Sequence, residues 1–255
     1  MHTNSLDDKS HLNGPGDKFP ATRWSAVAAL RSDESHERDR AFKTVVATYW
    51  KPVYKYVRLK WGKPKEDAED LTQGFFAKAL EKEFFRSFEP AKGRFRTFLR
   101  TCLDGFVTNE NKAARRLKRG GDARILSLNF ENAEGELKHA EIPDRDFLDE
   151  YFDQEWIRSL FSLAVDQLRK ECEAQGKSTQ FRLFECYDLD PEGGLKPSYE
   201  QLAAEYALTV TAVTNYLAFA RREFRRLVLE KLRELTASDE EFRDEARQLL
   251  GVDVP

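Results

Sequence analysis

The chain reads as all-α: two small helical domains joined by a flexible acidic linker. Three observations carry that reading. Apolar residues recur at helical rather than alternating spacing, as in Phe42, Val45, Val46, Tyr49, Trp50 and Val53. Helix breakers are few, 13 Gly and 9 Pro in 255 residues, so long helices run uninterrupted. Charge is segregated: residues 86–124 hold eleven Lys/Arg against four Asp/Glu, whereas 131–155 hold ten acids against two bases, which sets a basic segment beside an acidic connector.

Residues 1–18 are polar around Gly14-Pro15-Gly16 and bury too little apolar surface to offset the entropy of ordering, which predicts a disordered tail. The first domain spans 19–121. Thr22 is placed to cap a helix carrying Trp24, Val27 and Leu30, and the Phe42 to Val53 run follows as the next helix. Beyond Trp61-Gly62 and Pro64, residues 66–80 put Ala68, Leu71, Phe75 and Ala79 on one face and Glu66, Asp67, Glu69, Asp70 and Gln73 mostly on others. Acids at a helix start also complement the macrodipole, the plainest explanation of that cluster. A Pro90-Ala91-Lys92-Gly93 loop leads into a long helix from Phe95 to about Arg119. It is apolar at Phe98, Leu99, Cys102, Leu103 and Phe106, basic in its second half, and ended by Gly120-Gly121.

Residues 122–148 show no sustained period, are rich in acids and contain Pro143, the signature of a linker. The second domain spans 149–236. It opens with a helix carrying Phe152, Trp156, Leu160, Leu163, Ala164 and Leu168, then a shorter one from Gln180 to Tyr187, then a turn with Pro191 and Gly193-Gly194. Its last two helices are the most specific local signal. Ser198 and Gln201 have capping-box spacing, Ala203 is small enough for helices to approach, and Thr209 caps the next helix, which is helix-turn-helix syntax. Val210, Val213, Leu217, Ala220, Phe224 and Leu227 then form a buried stripe, leaving Thr211, Thr214, Asn215, Ala218, Arg222 and Arg225 outward. Thr and Asn there suit base edges, with Asn able to bond adenine twice, and the arginines suit phosphates. An ordinary helical hairpin with a solvated face would carry the same stripe. In the extension, 237–255, Phe242, Ala246, Leu249 and Leu250 share one side of a helix that packs on the second domain or covers the recognition helix.

The basic helix offers Arg94, Arg96, Arg100, Lys112, Arg115, Arg116, Lys118 and Arg119, preceded by Phe84, Phe85 and Phe88. Cations that track a backbone beside aromatics that stack on bases form a single-strand binding combination, although each aromatic taken singly is a core residue by default. Cys102, Cys172 and Cys186 match no metal spacing and read as reduced core residues; no cofactor, metal or catalytic residue is expected. No apolar run approaches the roughly 18 residues of a membrane helix, and the N-terminus lacks a signal-peptide core, so a cytoplasmic location without membrane association is expected.

Taken together, Asp67-Ala-Glu-Asp-Leu-Thr-Gln-Gly-Phe-Phe76, Gly93-Arg-Phe-Arg-Thr-Phe-Leu99, Lys118-Arg-Gly-Gly121 and the late helix-turn-helix resemble the extracytoplasmic-function sigma factors of the sigma-70 family, over roughly Phe19 to Leu235. The resemblance implies a region 2 bundle and a region 4 helix-turn-helix acting as a dissociable subunit of RNA polymerase, with core polymerase and promoter DNA as partners. It implies polymerase docking for Asp67, Glu69, Asp70 and Gln73. It implies upstream-ten melting and reading for Arg96, Arg100, Asn109, Lys112, Arg115 and Arg116, with Lys118 and Arg119 in the same basic run. Upstream-thirty-five reading falls to Thr211, Thr214, Asn215, Arg221, Arg222 and Arg225. The chain departs from the pattern at Gly105, where many relatives have Asn, and at Tyr206-Ala207, where Leu-Gly is usual. An inhibitor protein or a Ser/Thr protein kinase is a further expected partner, with Thr72 the residue that phosphorylation would charge. Two alternatives stay open: a helix-turn-helix regulator that never touches polymerase, and a sigma-like decoy or adaptor that binds polymerase without reading DNA.

Overall fold

The structure, a computed structural model, describes residues 25–81, 84–114, 127–140, 143–189 and 196–254. The expected tail, Thr22 and Trp24, the basic run 115–119 with Gly120-Gly121, and the Pro191 and Gly193-Gly194 turn lie outside the described residues. Among those described, every regular element is helical.

α1 (Ala26–Ala29) is a single turn whose Ala28 amide donates to Ser25 Oγ at 3.1 Å. α2 (Ser35–Lys60) buries Phe42, Val45, Val46, Tyr49 and Val53, the expected stripe, with Trp50 half-buried at its edge. α3 (Lys65–Ala79) and α4 (described over Phe95–Ala114) pack on it. Gly74 lets α3 and α4 close up, since a Cβ there would stand 3.3 Å from the Phe106 ring. Phe85 and Phe88 are buried against Phe95, with ring centroids 5.9 and 5.3 Å away, and half-buried Phe84 packs edge-on to Phe75. These three aromatics are core residues here, because α4 enters beneath them and their rings find apolar partners.

The segment expected to be a featureless linker contains a helix. α5 (Phe130–His139) is capped by Asn129, whose side chain accepts the Asn132 amide at 3.2 Å, and its Phe130, Ala133 and Leu137 are buried. Phe130 lies 5.7 Å from Trp50 and 5.1 Å from Tyr54 by ring centroid. Its acids meet cations of α2: Glu134 bonds Arg58 at 2.7 Å, and Glu136 reaches Lys51 and Lys55 at 2.6 and 2.7 Å. Burial of a large side chain contributes roughly 1.5–3 kcal/mol, enough with these pairs to hold a ten-residue helix that would not persist alone.

α6 (Leu148–Ala174) starts where the second domain was expected to start, but it serves both halves. Its first turns pack on α2, with Phe152 5.4 Å from Tyr56 and Trp156 stacked 6.4 Å from Tyr49. Its later turns meet the end of the chain, with Phe161 5.7 Å from Phe224. The buried side chains of the described residues form one apolar cluster that draws on both halves of the chain. α7 (Ser178–Phe184) runs into a single π turn, Glu185–Leu189. α8 (Tyr199–Glu205), α9 (Val210–Leu235) and α10 (Asp239–Leu250) complete the fold, α10 being capped by Ser238 and ended by Gly251 at φ +63°.

Candidate nucleic-acid interface

The helix-turn-helix is built as its spacing predicts. Ser198 Oγ accepts the Gln201 amide at 3.2 Å, and Gln201 Oε1 accepts the Ser198 amide at 2.6 Å, a closed capping box that starts α8. Leu202 and Ala203 are buried under α9. The turn is closed by the Leu208 amide, which donates to Ala203 O at 2.8 Å, and this forces Ala207 to φ +52°. Thr209 Oγ1 then accepts the Ala212 amide at 3.1 Å and starts α9.

Along α9, Val213, Leu217, Ala220 and Leu227 are buried, and Phe224 is half-buried between Phe161 and Phe184. Val210 departs from the expected stripe. It is 40% exposed, because the first helical residue precedes the turn that packs on α8. Thr211, Thr214, Asn215, Ala218, Arg222 and Arg225 are all exposed. Arg221 is not simply available to phosphate: its Nε and Nη2 donate to Asp188 at 2.8 and 3.0 Å, and that hydrogen bond holds its pKa above the usual value against partial burial. The row of hydroxyls and an amide ahead of arginines can bond base edges and neutralise phosphates respectively.

On α4, Asn109 and Lys112 are exposed, whereas Arg96 and Arg100 are not aimed at solvent. Arg96 is 6% exposed and donates from Nη1 to Glu245 at 2.6 Å. Its guanidinium lies 4.6 Å from the Trp156 ring centroid. Burial alone would lower its pKa; the hydrogen bond and charge of Glu245, with Asp153 and Tyr49, outweigh burial and raise it. Arg100 pairs with Asp149 at 3.1 Å. Arg115, Arg116, Lys118 and Arg119 lie outside the described residues.

The acidic face of α3 presents Glu66, Asp67 and Asp70 to solvent, with Glu69 and Gln73 half-buried. Burial, reinforced by Glu131, Glu66 and Asp70 and opposed by Lys65, pushes the Glu69 carboxyl above its usual value. Thr72 does not belong to that face. It is fully buried and its hydroxyl donates to Ala68 O at 2.7 Å, since position 72 lies one helical turn from the buried Ala68, Phe75 and Phe76. As an intact folded residue it is closed to a kinase.

Sequence reasoning placed the cations of α4 correctly on the chain but missed what meets them: Asp149 and Asp153 of α6 and Glu245 of α10. The segregation of basic and acidic segments was the available signal, and it becomes intramolecular pairing. A cleft of about 960 Å³ among α2, α5 and α6 is lined by Trp50, Lys51, Lys55, Glu136, His139 and Arg158, but its lysines are already paired with Glu136 and Glu155. Among the described residues no group of three His, Cys, Asp or Glu could hold a metal ion, and no helix is long and apolar enough to cross a membrane. Compared with protein-family models, with curated proteins and with solved structures, the chain matches none.

Proposed function

We propose that this chain is a sigma-type initiation factor of the extracytoplasmic-function kind: a cytoplasmic, non-catalytic subunit that binds core RNA polymerase and directs promoter recognition and opening. The observation that carries the reading is the capped helix-turn-helix with an exposed row of Thr211, Thr214, Asn215, Arg222 and Arg225. The exposed Glu66, Asp67 and Asp70 on α3 supply a second, separate surface, suited to a basic or amide-rich protein partner rather than to DNA. A DNA-binding regulator that never contacts polymerase has no use for it. In this reading the two halves carry region 2 and region 4 roles, α3 docks on polymerase, α4 tracks the melted strand, and α9 enters the major groove upstream.

The test is run-off transcription from a genomic fragment library, with core polymerase alone and with the purified chain. New transcripts sharing an upstream motif are expected, and Asp70→Lys should abolish both them and polymerase binding. Absence of any polymerase complex overturns the proposal. The paired state of Arg96 and Arg100 favours one second reading, a sigma-like adaptor that holds polymerase without opening DNA. A stable polymerase complex that yields no transcript from any fragment would establish that reading instead.

A further inference from the structure

Three residues of α10 at helical spacing, Glu241, Glu245 and Gln248, face α4. Glu241 Oε1 accepts the amide of Phe95, the first residue of α4, at 3.3 Å, while its Oε2 accepts the Ala237 amide at 2.8 Å. It thus serves as an anion at the α4 N-terminus. Glu245, 1% exposed, pairs with Arg96 at 2.6 Å and with Arg94 at 3.0 Å. Gln248 Oε1 lies 3.4 Å from Arg94 Nη1. From the other side, α6 sets Asp153 3.3 Å from Arg96 and Asp149 3.1 Å from Arg100. The opposite face of α10 packs on α9, where Arg233 lies 4.8 Å from the Phe242 ring.

The arrangement matches what a nucleic-acid strand would provide. Carboxylates stand along one basic helix face as phosphates would, and Trp156 lies against the guanidinium of Arg96. It is also imperfectly satisfied. Arg96 Nε and Asp153 Oδ1 face each other at 3.3 Å as an ion pair without a hydrogen bond, and Glu245 Oε2 and Trp156 Nε1 are buried without a hydrogen-bond partner among the described residues. Buried ion pairs give back much of their attraction as lost hydration, and unsatisfied atoms add to that cost, so such a contact is held close to balance rather than deep in a well.

We propose that α10 is a releasable internal occupant of the basic face at the start of α4, so that single-stranded DNA and α10 compete for Arg94 and Arg96, whereas Arg100 stays paired with α6. The proposal rests on the nucleic-acid role assigned to α4 above and adds its control: the chain shields its strand-binding cations until a strand or polymerase displaces α10.

The experiment compares the full chain, a chain ending at Ala237, and full-length Glu241→Gln/Glu245→Gln, each binding a fluorescein-labelled mixed-sequence single-stranded oligodeoxynucleotide over a salt series. Each backbone phosphate neutralised on a single strand contributes about 0.7 to the slope of log affinity against log salt, so freeing two arginines should steepen it by about 1.4, with affinity at fixed salt rising on the order of tenfold. Equal affinity and slope in all three chains overturns the proposal. Should the shortened chain fail to fold, amide exchange in the full chain decides. Oligonucleotide should speed exchange across 239–250, and undiminished protection there with DNA bound overturns the proposal. The two readings fail differently. Run-off transcription that persists with no oligonucleotide binding by any chain removes the shield alone, whereas loss of polymerase and DNA binding together removes the initiation-factor reading and the shield with it.

Discussion

Lys55 Nζ and Glu155 Oε2 lie 2.6 Å apart across 100 residues of chain, with side chains 4% and 2% exposed. This pair fastens α2 to α6, and it is shared: Lys55 also reaches Glu136 of α5 at 2.7 Å, and Arg158 bonds Glu155 from the solvent side. Three elements from both halves of the chain therefore meet at one buried ammonium. Removing one partner of a buried pair costs far more than replacing both, because the remaining charge keeps its desolvation penalty. Glu155→Ala should lower stability by about 3 kcal/mol in urea unfolding, at the low end of the usual range because Glu136 remains. Lys55→Met/Glu155→Leu should recover most of that loss; a double variant as unstable as the single one would show that the pair itself, rather than the orphaned charge, sets the cost.

Glu134 governs the docking of α5. Its hydrogen bond from Arg58, opposed by burial and supported by the Tyr54 hydroxyl, lowers its carboxyl from 4.5 to about 2. A carboxylate with a depressed folded pKa stabilises fully above its unfolded value and ceases to do so as pH falls through the folded one. Docking should therefore weaken between about pH 4.5 and pH 2. Trp50, whose ring packs on Phe130, reports it: its emission should shift in that window, and Glu134→Gln should remove that portion of the pH response, with a Trp50→Phe chain identifying the signal.

Ala207 adopts φ +52°, where a side chain is disfavoured and glycine is not. It is exposed, so its methyl loses little by removal. Ala207→Gly should stabilise the chain by about 1 kcal/mol, raising Tm by roughly 2–4 °C, and Ala207→Val should do the reverse. A lower Tm for the glycine variant would mean that the unfolded chain gains more from glycine than the turn does.

Thr72 sits in the core with its hydroxyl bonded to Ala68 O. Thr72→Val should keep the fold, since the carbonyl retains its helical partner. Thr72→Glu should cost on the order of 4 kcal/mol, because a buried charge without a partner has no compensating interaction. Circular dichroism melts of the two variants check this, and a folded, unshifted Thr72→Glu chain would reopen position 72 as a modification site.

On α9, Arg222 and Arg225 are exposed while Arg221 is tied to Asp188. If α9 lies in a duplex groove, Arg222→Ala and Arg225→Ala should each reduce the salt slope of promoter binding by about 0.9, uniformly across sequences. Asn215→Ala should instead relax preference at one base pair and leave the slope unchanged. Arg221→Ala should act through the contact between α9 and Asp188 of the π turn, shifting Tm more than the slope.

The sequence by itself determined the helical class, the positions of α2, α3, α4, α6 and α9, and the caps at Ser198, Gln201 and Thr209. Those features depend on residues three or four positions apart, whose interactions are set by helix geometry before any tertiary contact forms. It also located the exposed acidic face of α3 and the outward row of α9, since amphipathic periodicity separates wet from buried faces. Tertiary structure alone decided that α5 is a helix, that α6 bridges the two halves, and that Arg96 is closed off. Each of these rests on partners far apart in the chain: Glu134 and Arg58 are 76 residues apart, Glu155 and Lys55 are 100, and Glu245 and Arg96 are 149. A charge on a helix face carries no mark of whether water, a phosphate or a distant carboxylate will meet it, so the same basic and acidic runs serve equally for an open surface and for the internal pairing that this fold forms.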